Sequence, residues 1–279
     1  MIICYRNKHK MNLRAKKSLG QHFLNSKHVL GQIITAAHLT KGETVLEIGP
    51  GTGVLTEALL EDGVTVIAIE KDHRAIELLR TKFEVATQNG RLKVIEGDVL
   101  DAKLFEKESP NGSTVKLLNS SYAIVANIPY YITGAILEKF LAHEPRPQHM
   151  TLLVQKEVAE RIVEGKESIL SISVKAFGTP KLIAVVPRDA FTPPPNVDSA
   201  ILSIEGISDK YFIDNNVDIS RFFEIVRAGF VHKRKYLIRN LEAVMDHEKI
   251  KSIWQNLNLG PKIRAEDVNM NQWFGISRP

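Results

Sequence analysis

Cysteine is nearly missing from this 279-residue chain: Cys4 stands alone, so no internal disulfide can form. No Cys/His grouping has zinc-ligand spacing, and no metal is expected. Long apolar runs are missing as well. None approaches the ~18–20 residues a bilayer span needs, which excludes an integral helical membrane protein. The N-terminus lacks the apolar h-region of a secretory signal. A reducing compartment, the cytoplasm, is the expected location, with the chain a monomer. Acid is missing from one region: residues 1–42 hold eight Lys/Arg and no Asp or Glu.

What is present describes a folded protein. Apolar residues at 44% and charged residues at 25% are enough to build and solubilise a core, which argues against disorder. The length fits two domains at roughly 150 residues each. The net charge of +5 is unevenly spread. Residues 43–205 hold 17 basic and 23 acidic side chains, and residues 206–279 hold 12 and 9. A mildly acidic body with basic ends fits a polyanionic partner, although a solvated tail and ordinary helix faces give the same count.

Strand-like and helix-like segments alternate. Thr44–Ile48, Thr65–Ile69, Leu92–Ile95, Tyr122–Ala126 and Thr151–Val154 read as short buried strands. Helical periods separate them, at Val54–Leu60, Ala75–Phe83, Ile136–Phe140 and Glu157–Val163. The pattern predicts βαβ units and a mostly parallel, Rossmann-like α/β sheet. Two late runs, Leu182–Val186 and Ala200–Ile204, are expected to pair antiparallel at its edge. After Gly206 only helical periods remain, at Ile219, Phe222, Val226 and Phe230 and at Leu237, Leu241 and Val244. The expected organisation is a basic tail over 1–17, an α/β domain over 18–205 and a small all-α domain over 206–279.

Chemistry is expected where the first of these strands ends, in Glu47-Ile48-Gly49-Pro50-Gly51-Thr52-Gly53. Glycines there let the backbone turn sharply and approach a ligand, and the following helix offers free amides. Glu70 ends the second strand, where a carboxylate can accept from both ribose hydroxyls. Asp98 ends the third, placed to accept from an adenine amine, or to act as a plain turn aspartate. Val54 stands where the dinucleotide fingerprint has a small residue, so the loop suits S-adenosyl-L-methionine better than NAD.

Ala126-Asn127-Ile128-Pro129-Tyr130-Tyr131 follows the fourth strand. An adenine N6 amine is a poor nucleophile because its lone pair is delocalised into the ring. An Asn oxygen and a backbone carbonyl can each accept one of its hydrogens and hold it in a reactive geometry. Tyr130 offers a ring for base stacking. No general base is required beforehand, because the proton leaves after the nitrogen becomes cationic.

With these motifs in hand, residues 12–279 resemble the small-subunit ribosomal RNA adenine dimethyltransferases. The match rests on Ser18-Leu19-Gly20-Gln21-His22-Phe23-Leu24, the GxGxG loop, Glu70-Lys71-Asp72, Gly97-Asp98, Asn127-Ile128-Pro129-Tyr130, Gln155–Ala159 and Phe191–Ser199. The resemblance implies a class I methyltransferase fold that uses S-adenosyl-L-methionine. It also implies dimethylation of N6 on two adjacent adenosines in a hairpin loop near the 3′ end of small-subunit rRNA, within the immature subunit. It assigns cofactor contacts to His22, Leu24, Gly49, Gly51, Glu70, Asp98 and Asn127. Asn127, Pro129 and Tyr130 surround the target amine, and Phe191 sandwiches the flipped base. A Phe before a proline run is more often core, so Phe191 carries both readings.

Lys233, Arg234 and Lys235 in the second domain suit RNA phosphate, and the family has a similar basic string there. Two departures are small: Ile128 replaces the commoner Leu, and His22 stands where many members have Asn. Three alternatives stay open at this point: a large-subunit rRNA methylase, a non-catalytic nucleic-acid-binding assembly or transcription factor, and, more distantly, a dehydrogenase.

Overall fold

The computed structural model describes residues 13–16, 19–101 and 121–279. Cys4, most of the basic tail, Ser18 and nearly all of the motif-free stretch 107–121 lie outside the described residues. The chain divides into two compact units, Met1–Ala159 with Lys181–Glu205, and Glu160–Pro180 with Gly206–Pro279. The second unit resumes at Gly206. It also takes in 160–180, which the strand–helix alternation had placed with the first.

In chain order the elements up to residue 101 are β1 (Phe23–Leu24), α1 (Lys27–Ala37), β2 (Thr44–Ile48), α2 (Val54–Asp62), β3 (Thr65–Glu70), α3 (His73–Lys82), α4 (Glu84–Gln88) and β4 (Leu92–Glu96). From residue 121 follow β5 (Tyr122–Asn127), α5 (Thr133–Ala142), β6 (His149–Gln155), α6 (Lys156–Val163), α7 (Ile169–Phe177), β7 (Thr179–Val186), β8 (Phe191–Thr192) and β9 (Ser199–Glu205). The last five helices are α8 (Lys210–Asn215), α9 (Ile219–Phe230), α10 (Leu237–Leu241), α11 (His247–Asn256) and α12 (Met270–Ser277).

Seven strands form one sheet in the order β4-β3-β2-β5-β6-β9-β7. β2 pairs in parallel with both β3 and β5, so the chain steps one way from β2 and later returns to its other side. That reversal opens a crevice at the carboxyl ends of β2 and β5, the usual ligand position in such sheets. β9 runs antiparallel to β6, and β7 lies beyond it at the edge, next to the strand the sequence paired it with. The central strands read as continuous apolar runs because they are covered on both faces; β5 is buried from Tyr122 to Ala126.

Local chemistry sets the helix starts that border the crevice. Asp72 caps α3 by accepting from the Arg74 N–H. α2 begins at Gly53 with no side-chain cap, so its first amides stay available to a ligand. Gly53 has φ +72°, and a Cβ there would lie 2.7 Å from both Leu79 and Phe83. Only glycine lets the loop close onto α3.

A second, two-stranded sheet has no periodic signal in the sequence. β1 pairs antiparallel with β8, Phe23 opposite Thr192 and Leu24 opposite Phe191. The second unit is built on an aromatic cluster, with Phe212 edge-on to Phe222 at 5.3 Å and Phe222 stacked on Phe274 at 4.7 Å. No helix among the described residues is long and apolar enough to cross a membrane.

Candidate active site

A cavity of about 290 Å³ opens over the carboxyl ends of β2, β3 and β5. Its lining includes His22, Leu24, Gly49, Gly51, Glu70, Asp98, Asn127, Pro129 and Tyr130. These are all the expected cofactor and target-amine residues except Phe191. Residues from 19–24, 47–52 with 54–55, 69–71, 97–100 and 127–132, five separate stretches of chain, meet here.

The acidic groups are held by neighbouring amides. Glu70 accepts from the Gly51 N–H at 3.0 Å and from the Lys71 and Asp72 N–H groups at 2.8 Å each. Those bonds fix its carboxylate against the glycine loop. Asp98 accepts from the Leu100 N–H and from Lys71 Nζ, at 3.0 and 2.9 Å. The Lys71 bond, followed by the Leu100 amide, lowers the Asp98 pKa. Glu47 lies below the loop, 1% exposed. Thr56 donates to its Oε2 at 2.6 Å, while Oε1 has no partner among the described residues. Burial, opposed by the Thr56 bond, pushes Glu47 up to about 8.

The glycines differ in what they do. Gly49 has φ +66° with open space around it, so its requirement is conformational. At Gly51 a Cβ would lie 2.9 Å from the Phe23 ring, so that glycine lets the 19–24 segment lie on the loop. The same segment is tied down at its other end. Asp72, 3% exposed, accepts from Gln21 Nε2 at 3.2 Å and from Arg74 Nη2 at 2.5 Å. Arg74, opposed by burial and helped by Gln21, holds the Asp72 carboxyl well below the usual carboxylate range.

The Asn127–Tyr130 turn is equally specified. Asn127 Nδ2 donates to the His22 carbonyl at 3.1 Å, which orients the amide and leaves Oδ1 as its acceptor. The Pro129 carbonyl accepts from the Ile132 N–H, and the Tyr130 carbonyl from Thr133. The His22 ring stacks on Tyr130 with centroids 6.1 Å apart, and His22 Nδ1 donates to the Pro193 carbonyl at 2.8 Å. The Tyr130 hydroxyl shares a 2.6 Å hydrogen bond with Ser199, which is fully buried at the start of β9. Burial raises the Tyr130 pKa and the Ser199 bond opposes it, so the phenol stays neutral.

Phe191 is elsewhere. It is 2% exposed, sits opposite Leu24 in the small sheet and belongs to the hydrophobic core. Its place here is the core reading of an aromatic before a proline run, and a stacking role requires movement of the 191–199 loop. Gln21, Asp72 and Ser199 belong to quoted motifs, but nothing in local sequence tells that they bond to groups 51 or 69 residues away. Lys233, Arg234 and Lys235 are exposed in the second unit, between α9 and α10.

The pocket chemistry agrees with what the whole chain resembles. The family profile described as ribosomal RNA adenine dimethylase matches residues 12–278. A ribosomal RNA small subunit methyltransferase A from Dehalococcoides mccartyi is 42% identical over 265 residues, covering 94% of this chain and 87% of the relative. One from Nostoc sp. is 36% identical, covering 95% and 97%. Among solved structures, a dimethyladenosine transferase from Plasmodium falciparum superposes with a TM-score of 0.74 at 27% identity, covering 91% of this chain and 96% of that one. A 23S rRNA methyltransferase, ErmE, shares the fold with a TM-score of 0.69 at 24% identity, covering 91% and 97%. A class I methyltransferase sheet, a cavity lined by the Asn-x-Pro-Tyr turn and a profile match over almost every residue converge: the chain is an enzyme of the ribosomal RNA adenine dimethylase family.

Proposed function

We propose that the chain uses S-adenosyl-L-methionine to dimethylate N6 of two adjacent adenosines in a hairpin loop near the 3′ end of small-subunit rRNA, within the immature subunit. The observation that carries the reading is Asn127: its Nδ2 is committed to the His22 carbonyl, so Oδ1 remains to accept an amine hydrogen at the cavity. With the Pro129 and Tyr130 carbonyls accepting from Ile132 and Thr133, the backbone acceptor beside it is the Ile128 carbonyl. Two fixed acceptors hold the amine while its lone pair faces the pocket, so catalysis is positioning and electrostatics. Tyr130, kept neutral and fixed by Ser199, supports the base face.

The residues present suit the cofactor. The left-handed Gly49 and Gly51 and the uncapped start of α2 make a cradle that a side chain would obstruct at Gly51. Glu70 would hold the ribose hydroxyls and Asp98 the adenine amine, with His22 and Leu24 covering the site. The bound cofactor supplies a methyl group activated on a positively charged sulfur. Relatives named for the small subunit, at 36–42% identity, support that substrate over the large subunit. The matching basic turn at Lys233, Arg234 and Lys235 supports contact with rRNA phosphate.

Radiolabelled methyl transfer to unmodified small subunits, large subunits and naked rRNA tests the proposal. Transfer to small subunits is expected, falling about 10²–10³-fold in Asn127→Ala with the fold intact. Transfer confined to large subunits, or an unaffected Asn127→Ala, overturns it.

A further inference from the structure

Beyond α9 the chain runs Val231-His232-Lys233-Arg234-Lys235-Tyr236, and all six residues are exposed. Between Glu224 and Glu242 there are five Lys/Arg and no acid. The two flanking acids are already engaged, Glu224 by Arg221 at 2.7 Å and Glu242 by Arg239 at 3.2 Å. Among the described residues, Lys233, Arg234 and Lys235 form no ion pair, so their charge is uncompensated.

This basic segment is held in shape. Asn240 of α10 is 5% exposed and donates from Nδ2 to the Gly229 carbonyl at 2.5 Å and the His232 carbonyl at 3.3 Å. The Lys235 N–H donates to the His232 carbonyl, and the Leu237 N–H to the Ile263 carbonyl, each at 2.9 Å. At Gly229 a Cβ would lie 2.7 Å from Trp273 and 2.9 Å from Leu237, so the end of α9 is packed tightly against the core of its unit. The backbone on both sides is therefore fixed, and the six side chains between project from a preformed turn.

Two of those six side chains are apolar. Val231 is 66% exposed and Tyr236 41% exposed, one at each end of the cationic run. The Tyr236 hydroxyl has no hydrogen bond among the described residues. A single exposed aromatic is ordinary. An exposed aromatic next to uncompensated cations on a fixed turn matches what a single-stranded nucleic acid needs, a π-face beside a phosphate track. A bilayer would need a far wider apolar face than one Val and one Tyr.

We propose that the 231–236 turn is a contact for single-stranded RNA, in which Tyr236 stacks on an unpaired base and Lys233, Arg234 and Lys235 hold the neighbouring phosphates. The assignment rests on rRNA being the substrate, and it adds a base-stacking element to a turn otherwise credited with charge alone. Stacking adds affinity for unpaired nucleotides without reading their identity, so the turn distinguishes loop from duplex.

The test uses the full chain with two RNAs, a hairpin with an unpaired loop and a blunt duplex of the same length, titrated at several salt concentrations. Tyr236→Ala should weaken hairpin binding about tenfold, leave duplex binding alone and keep the salt slope. Tyr236→Phe, which retains the ring, should bind as the parent protein does. Replacing Lys233, Arg234 and Lys235 together by Gln should weaken both RNAs and flatten the salt dependence. If Tyr236→Ala binds the hairpin normally while the triple variant is weakened, the stacking proposal falls and the phosphate contact survives. If the triple variant also binds normally, the turn is no RNA contact at all. Failure of the parent protein to bind either RNA strikes the substrate reading itself. Binding to anionic vesicles that Tyr236→Ala abolishes, with RNA binding intact, assigns the surface to lipid and overturns the proposal.

Discussion

The cavity over the sheet and the basic turn between α9 and α10 use charge in opposite ways. In the cavity the carboxylates are engaged by the protein, Glu70 by three amides and Asp98 by Lys71 and an amide, and Asp72 behind it is held by Gln21 and Arg74. On the turn Lys233, Arg234 and Lys235 have no acidic partner among the described residues, and the acids on either side are paired to other arginines. The backbone of both regions is firmly held. A small cofactor is recognised by shape and directed hydrogen bonds, so its carboxylates must be oriented in advance. A polyanion is recognised by displaced counterions, so its cations must stay available. Substitutions of the groups the fold itself holds should therefore cost folding stability in the first region, and those on the turn binding alone.

Phe191→Ala should give the largest loss of stability. Its ring is 2% exposed against Leu24 and the core, so removal should cost about 3–5 kcal/mol in urea unfolding. Tyr130→Ala should unfold much closer to the parent protein and lose methyl transfer instead. A stable but inactive Phe191→Ala would shift that residue from packing to base stacking.

Glu47 should make the cavity pH-sensitive. Its folded pKa of about 8 lies above the ordinary 4.5, so between these values the folded protein keeps a proton that the unfolded chain gives up. The associated stability is complete below about pH 4.5 and is lost as pH rises through about 8. Glu47→Gln removes the titration, so its stability relative to the parent should rise by on the order of a few kcal/mol from pH 5 to 8. An unchanging difference across that range would mean that Glu47 is ionised in the fold.

Two glycines sharpen the comparison within the loop. Gly53→Ala adds a 2.7 Å clash with Leu79 and Phe83 to a left-handed backbone, whereas Gly49→Ala adds only the backbone strain. The first should lose about 2–3 kcal/mol and the second about 1–2 kcal/mol, read from denaturant midpoints. Equal losses would place the cost in conformation alone. The smallest stability effect belongs to the turn, where neutralising Lys233, Arg234 and Lys235 should change unfolding by no more than about 0.5 kcal/mol. Its effect should appear in RNA titrations, as a salt slope shallower by about 3.

Much of the fold was legible because buried parallel strands and amphipathic helices have local periods. Thr44–Ile48 was expected to its ends and is β2, and Ile219–Phe230 shows its helical face in residues three and four apart. The short strands β1 and β8 were not legible: two residues carry no period, and their pairing joins positions almost 170 apart. The sequence puts segment 160–180 with the sheet domain because strand signals continue beyond it, at Leu182–Val186 and Ala200–Ile204, whereas in the structure it belongs to the second unit. Periodicity reports that a helix has an apolar face and is silent about which core receives it.

The site divides in the same way. Gly49, Gly51, Glu70, Asp98 and Asn127 were identifiable because each stands at the carboxyl end of a strand, and topology brings such ends together. By itself the sequence determined the strand and helix alternation, the loop that only glycine can form and the residue types that line the cavity at the strand ends. Tertiary structure alone decided that Asn127 donates to His22, that Ser199 fixes Tyr130, that Asp72 anchors Gln21, that Asn240 shapes the basic turn and that Phe191 is core. The physical reason is range. Backbone propensity and apolar period act over a few residues, whereas hydrogen-bond partners and burial depend on contacts that only chain closure creates.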